Sequence, residues 1–423
     1  MRVRRTESVR WQQVPPGTRD LLPGEAERRS ALAQTLRGEF GRWGYREVLT
    51  PTLEYLETIV RGAGPGVEDQ LFKIVDRDGA LLALRPEMTV PIARVAASRL
   101  AQEAGTLRLS YVADVFRGQE AGQGRLRAFT QAGVELLGEE SLDDDAEVIA
   151  LAASALQRAG LTDVVVNVGH LGFLSDLMTE LSADEQEDVR LRLYRKDFPG
   201  LEEMVADRAR ARALRELPEL HGPGAIARAR VLVGSSASQG ALDDLEHLVE
   251  RLEPYGVAKW VGVDLGIIRD FSYYTGVVFE AYGPGMGSPL LGGGRYDRLL
   301  GRFGVDRPAT GFALGLERVM AALPLNASVP VELLLVGDGA VRAQAVSLAT
   351  ELRANGIGVI LDLGGGWPEA LRRAEGEGLR WVGQVGAERV QLREIGSKRQ
   401  ASVPVAAVLA TVAGGGGGNS WTR

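Results

Sequence analysis

Leu32, Leu36 and Phe40 recur every four residues in an otherwise polar stretch. That spacing predicts a helix from Asp20 or the Pro23-Gly24 turn to about Trp43, with one buried stripe. From Tyr45 to Gly138 the period shortens, and YREVLTPTLEYLE, QLFKIVD, ALLALRP and LRLSYVADVFR read as strands. DRDG at 76–79 makes a hairpin turn between two of them. The next strand has two unlike faces. With side chains alternating, Arg127, Phe129, Gln131, Gly133 and Glu135 point one way, and Ala128, Thr130, Ala132, Val134 and Leu136 the other. An aromatic ring, a bare glycine and three polar groups spaced two apart suit a pocket floor. There Gly133 clears space, and Arg127, Gln131 and Glu135 meet a ligand. In the preceding strand Tyr111, Ala113, Val115 and Arg117 share a face, so Arg117 can join that floor. A half-exposed edge hairpin is the plainer alternative.

Further on, 145–160 reads as helix and VVVNVG at 164–169 as a buried strand. Residues 171–255 are almost all helical, and their mixed charges (DEQEDVRLRLYRKD, ADRARARALRELPEL) fit solvated helix faces. Strands return at WVGVDLG and at YYTGVVFEAY, which Tyr273 and Tyr274 begin. In ATGFALGLERVMAAL a strand turns at Gly315 into a helix with Arg318 in its first turn. A cation there opposes the helix dipole, so an anion, ligand or carboxylate, is expected beside it. PLNASVP at 324–330 has linker composition. Beyond it VELLLVGD, a helix at 343–354, GIGVILDL, a helix at 369–377 and RWVGQVG alternate strand with helix, as in a small α/β domain. The tail GGGGGNSWTR is expected to be disordered.

Composition narrows the function. A chain of 423 residues makes about two or three domains, and 45% hydrophobic with 25% charged residues describes an ordinary globular protein. No apolar run approaches the roughly 20 residues that span a bilayer. The basic start MRVRRTESVRWQQVPPG has no apolar core behind it, so the expectation is a cytoplasmic protein. Without cysteine there is no disulfide, thiol nucleophile or Cys-bound zinc, and the three histidines (His170, His221, His247) are far apart, so no metal site is expected. The net charge of −7 argues against a surface built mainly for nucleic acid. Only four lysines (Lys73, Lys196, Lys259, Lys398) accompany the many arginines, so arginine abundance alone marks no site.

Individual segments add chemistry. Glu87, after Arg85 in ALRPEMT, can receive an ammonium group, and Arg269 suits carboxylate or phosphate oxygens. Arg125, Arg127 and Arg318 are candidate phosphate or nucleotide contacts. GGGR at 292–295 resembles a phosphate loop but lacks the Lys-Ser/Thr ending.

TRDLLP, GYREVLTPTLEYLE, LALRPEMT, FR…GRLRAFTQAGVE, IIRDFSYYTGVVFE, GGGRYD and GFALGLERV, in this order, resemble the class II histidyl-tRNA synthetase family over nearly the whole chain. The resemblance implies an α+β fold: an antiparallel sheet flanked by helices, a helical insertion and a small C-terminal α/β domain. It divides the chain into core (1–165), helical insertion (166–258), core again (259–324), an anticodon-binding-like domain (330–412) and a tail (413–423). It also places that family's histidine pocket on Glu87, Arg117, Gln131, Glu135, Arg269 and Tyr274, with Tyr273 alongside. Glu87 and Gln131 would take the α-ammonium, Glu135 and Tyr274 the imidazole, and Arg117 and Arg269 the carboxylate or phosphate oxygens.

The chain departs from the synthetases where ATP would react. Their loop after the second-motif arginine usually resembles RYERP, whereas here Arg117 is followed by Gly118, Gln119, Glu120 and Ala121. The acid that meets the adenine amino group is Gln119, and an arginine near the triphosphate has become Glu120. Each unit of charge is worth about 3 kcal/mol at about 5 Å and an effective dielectric near 20. Thr130 stands where the synthetases usually have His, and Ser272 where they usually have Asp. These changes, with FTQAGVELLG, NVGHLGFL, Lys196-Asp197 and YYTGVVFEAY, resemble the related subfamily of ATP phosphoribosyltransferase regulatory subunits. That resemblance implies no catalytic residue and no cofactor. It implies a homodimer that joins the short-form catalytic subunit in a hetero-octamer, is required for its activity in the first step of histidine biosynthesis, and mediates feedback by free histidine. From Val331 to Arg423 ten Lys/Arg face nine Asp/Glu, a poor footprint for tRNA. A working histidine–tRNA ligase is the alternative, resting on Arg117, Arg269 and Arg318.

Overall fold

A computed structural model describes residues 13–118, 126–194, 199–267, 273–323 and 332–414. Gln119, Glu120, Arg125, Lys196, Asp197, Arg269, Ser272, the segment 324–330 and the tail from 415 on lie outside the described residues. The chain forms two compact units, one of Met1–Leu22 and Arg29–Leu325, the other of Pro23–Arg28 and Asn326–Arg423.

Helix α1 (Glu25–Arg42) buries Leu32, Leu36 and Phe40 as their spacing predicts, and Ala33 and Glu39 with them. The single strand expected over YREVLTPTLEYLE is two short ones, β1 (Arg46–Glu47) and β2 (Leu53–Tyr55), separated around Pro51, which has no N–H to give a ladder. The chain then enters helix α2 (Leu56–Ala63), which was not foreseen and whose first two residues, Leu56 and Glu57, closed the expected strand. Its β-branched Thr58, Ile59 and Val60 favour strands intrinsically, and packing overrides them. Strands β3 (Lys73–Val75) and β4 (Leu81–Leu84) pair antiparallel across the DRDG turn, where Asp76 N–H donates to Ala80 O at 2.9 Å. Helix α3 (Thr89–Ser98) was also unforeseen. Pro91 in its first turn reads as a breaker, yet a first-turn residue has no intrahelical acceptor to lose.

Strands β5 (Leu107–Phe116) and β6 (Ala128–Leu137) form the longest hairpin. Helix α4 (Leu142–Arg158) and strand β7 (Val165–His170) follow. Next come helices α5 (Leu171–Leu177), α6 (Ala183–Tyr194), α7 (Arg208–Glu216), α8 (Ala225–Leu232) and α9 (Ser236–Leu252). Strands β8 (Val261–Val263), β9 (Val277–Tyr282), β10 (Leu291–Arg295) and β11 (Ala309–Gly315), then helix α10 (Leu316–Ala322), close the unit. The eight-stranded sheet runs β1-β5-β6-β11-β10-β9-β7-β8, antiparallel except for its outermost pairs β1·β5 and β7·β8. Its two faces bury different cores. Ala132, Val134 and Leu136 join α1, α4 and α9 on one side. Tyr111, Val115 and Leu137 join α2 and α3 on the other.

The second unit is a five-stranded sheet, β13-β12-β14-β15-β16. Its strands are β12 (Leu333–Val336), β13 (Val359–Asp362), β14 (Trp381–Val385), β15 (Arg389–Glu394) and β16 (Gln400–Pro404). Helices α11 (Arg342–Ala354), α12 (Trp367–Gly376) and α13 (Val408–Ala413) complete it. The first three strands are parallel, as the alternation of strand and helix requires. The β15–β16 hairpin was not foreseen, because QLREIGSKRQ carries charges where a strand pattern needs apolar residues. Among the described residues no helix is long and apolar enough to cross a membrane.

Candidate functional site

The β5–β6 register sets Tyr111 opposite Gly133, Ala113 opposite Gln131 and Val115 opposite Phe129. The two alternations therefore stay in phase, and the face carrying Gln131 and Glu135 is continuous with that carrying Tyr111. Thr130 points to the opposite side, where its hydroxyl bonds Asp114 at 2.6 Å and Arg29 joins both.

Two buried carboxylates organise this face. Glu87 precedes α3 and accepts from the backbone N–H groups of Thr89 (2.6 Å) and Val90 (2.8 Å), two of the donors a helix start leaves open. Burial pushes its carboxyl up, while those bonds and the charge of Arg117 pull it back. Glu135 on β6 accepts from the Thr89 hydroxyl at 2.8 Å and from the Tyr296 hydroxyl. Burial drives its carboxyl up to about 8; Tyr296 and Thr89 oppose the shift, and the neighbouring Glu87 adds to it. Thr89 is thus the bridge between the two acids, and Tyr273 is hydrogen-bonded to it as well.

Aromatic rings wall the acids. Tyr273 lies 4.7 Å from Tyr274 and 5.6 Å from Tyr296 between ring centroids. Tyr273 and Tyr274 do not open the strand as the pattern suggested; β9 begins at Val277. Gly311 on β11 faces Glu135, and a methyl group there would overlap the Glu135 carboxylate.

The arginines behave differently from one another. Arg117 joins the floor: its Nε donates to Pro86 O at 3.1 Å, and its guanidinium lies 5.4 Å over the Phe129 ring. Arg127 precedes β6, and its guanidinium stacks on Phe72 at 4.6 Å. Arg318 is exposed in the first turn of α10 and donates to Pro289 O at 2.9 Å. Glu317 in the same turn accepts from Thr130 N–H at 3.0 Å and pairs with Arg29 at 3.5 Å. GGGR is no phosphate loop. It is part of the buried strand β10, and Arg295 is held by Asp145 (2.9 Å), Asp297 (3.1 Å) and Ser141 O (2.7 Å). The space cleared by Gly133 is not open either: a methyl group there would overlap Phe312 O and meet the Tyr111 hydroxyl at 2.5 Å. Tyr111 fills it.

A family model described as histidyl-tRNA synthetase matches residues 17–319. The chain is 42% identical over 382 residues to the ATP phosphoribosyltransferase regulatory subunit of Moorella thermoacetica, covering 88% of this chain and 98% of that protein. It is 41% identical over 366 residues to the ATP phosphoribosyltransferase regulatory subunit of Bacillus subtilis, covering 84% and 92%. The chain belongs to the family of ATP phosphoribosyltransferase regulatory subunits. A crystal structure described as an ATP phosphoribosyltransferase regulatory subunit/histidyl-tRNA synthetase from Bacillus halodurans C matches with a TM-score of 0.76 at 37% identity, over 86% of this chain and 96% of that one. The expected α+β fold, with its synthetase-like sheet and C-terminal sheet domain, is therefore the fold of this regulatory-subunit family member.

Four residues of the site were missed in the sequence: Thr89, Tyr296, Gly311 and Tyr111. Thr89 and Tyr296 meet Glu135 across 46 and 161 residues of chain, and no periodicity reports such separations. Alternation did put Tyr111 on the right face, and that signal was available. Among the described residues no group of three or more His, Asp or Glu side chains could hold a metal ion.

Proposed function

We propose that the chain is a non-catalytic regulatory subunit that binds free histidine between Glu87 and Glu135 and switches on a short-form catalytic ATP phosphoribosyltransferase subunit. The names of its relatives support the regulatory role. The single observation that supports the ligand is the Thr89-bridged pair of buried acids. Two carboxyls out of water gain most from a bound cation, and an α-ammonium with an imidazole offers one group to each. In this reading Glu87 and Gln131 take the ammonium, Glu135 and Tyr274 the ring, and Arg117 with Arg269 the carboxylate. The working unit is a homodimer that assembles with the catalytic subunit into a hetero-octamer in the cytoplasm, without cofactor or tRNA.

The same pocket could serve a ligase, so adenylation decides between the two. Gln119 and Glu120 replace an acid and an arginine at the ATP side, which turns the local charge against a triphosphate. The purified chain is therefore expected to show no histidine-dependent exchange of pyrophosphate into ATP. Exchange at rates typical of an aminoacyl-tRNA ligase would establish the alternative and remove the regulatory reading.

A further inference from the structure

Tyr111 is 1% exposed, and its hydroxyl has no hydrogen-bond partner among the described residues. Leaving a buried hydroxyl unpaired costs about 1–3 kcal/mol, and phenylalanine would fill the same volume without that cost. The local backbone nevertheless accommodates the group. Gly133 opposes Tyr111 in the β5–β6 register, and any larger residue there would strike the phenol oxygen. Tyr111 therefore forms the floor of the site between Gln131 and Glu135. Gln131 Oε1 is a second buried atom on this face with no partner among the described residues. Two such orphans beside one glycine, on the face that carries Glu135, are what a polar ligand would complete.

We infer that the Tyr111 hydroxyl is a specificity group that hydrogen-bonds a ring nitrogen of the amino acid held here. The inference rests on the histidine-binding reading proposed above. The phenol oxygen packs against Gly133, and Glu135 lies two residues along the same face of β6, so the hydroxyl lies toward the end assigned to the side-chain ring. A hydroxyl rotates and can donate to a bare ring nitrogen or accept from a ring N–H. It therefore serves either tautomer of an azole. A hydrocarbon ring of similar size leaves it unpaired, and sites with buried polar groups reject such analogues strongly.

The test compares the full chain with its Tyr111→Phe variant by calorimetric titration with histidine and with phenylalanine, and by melting without ligand. The variant is expected to melt at or above the wild type, because an unpaired hydroxyl has gone. Its histidine affinity is expected to fall roughly tenfold, and its preference for histidine over phenylalanine to shrink by the same factor. Unchanged histidine affinity overturns the inference. A clear fall in ligand-free melting temperature, or loss of folding, also overturns it, because the hydroxyl is then paired within the fold. A wild-type chain that binds no histidine defeats the underlying reading first and this inference with it.

Discussion

Replacing Glu135 by alanine is expected to weaken histidine binding roughly ten- to hundredfold, and to relieve histidine inhibition of the assembled enzyme by a similar factor. A buried hydrogen bond to a charged group is worth about 1.5–3 kcal/mol, which corresponds to that range. The glutamine variant separates charge from shape, since it can keep bonds to Thr89 and Tyr296 while losing the ionised form. It also carries a pH signature. In the empty site the Glu135 carboxyl is pushed up to about 8 by burial, so below that pH it holds a proton. A cationic ligand favours the ionised form, so binding releases a proton. Affinity should therefore rise with pH up to about 8, by at most roughly tenfold per unit, and level off above. Histidine's own titration is common to both proteins, so the difference between wild type and Glu135→Gln isolates Glu135. A wild-type pH profile parallel to that of the variant would show that Glu135 does not meet the ligand's charge.

The second large effect concerns stability. Arg295 is 5% exposed and ties Asp145 on α4 to Asp297 beyond β10, with Ser141 O as a third acceptor. Arg295→Ala leaves Asp145, itself 1% exposed, without its counter-charge. Breaking a buried pair from one side costs about 3–5 kcal/mol, readable as a lower midpoint in denaturant unfolding. The loss should depend on pH. Burial already raises the Asp145 carboxyl to about 6 against the pull of Arg295. A carboxyl raised in the folded state takes stability away as pH climbs from its unfolded value through its folded one. Without Arg295 the folded value rises further, so the deficit should be small near pH 5 and grow toward pH 8. A deficit under about 1 kcal/mol that is independent of pH would mean the pair contributes only surface-like energy.

These two sites also show how far the sequence could be read. The four-residue spacing of α1 reports its buried face, and the alternation of β6 sorts its side chains into two sets that lie on opposite faces as the pattern put them, although both faces of β6 are buried. Alternation cannot say what lies opposite. Gly133 clears space as its bare Cα requires, but for Tyr111 on the preceding strand rather than for a ligand. The GGGR stretch shows the same limit. Its glycines lie in a buried strand, where Gly293 allows close approach to the backbone of Gly311 on β11, while the arginine completes a core ion pair. Helices α2 and α3 escaped because β-branched residues and an early proline carry strand and breaker signals that tertiary packing overrides. The polar bridge from Thr89 through Glu135 to Tyr296 joins three distant segments, and only the fold brings them together.

Reconstitution with the catalytic subunit reads the regulatory role itself. ATP and phosphoribosyl pyrophosphate are supplied to the short-form catalytic subunit alone, to this chain alone, and to the two mixed, with and without histidine, while size-exclusion mass follows assembly. The expected outcome is no turnover by this chain alone, strong activation on mixing, co-elution in one large complex, and inhibition of that complex by histidine. Equal activity of the catalytic subunit with and without this chain, and separate elution, would contradict it.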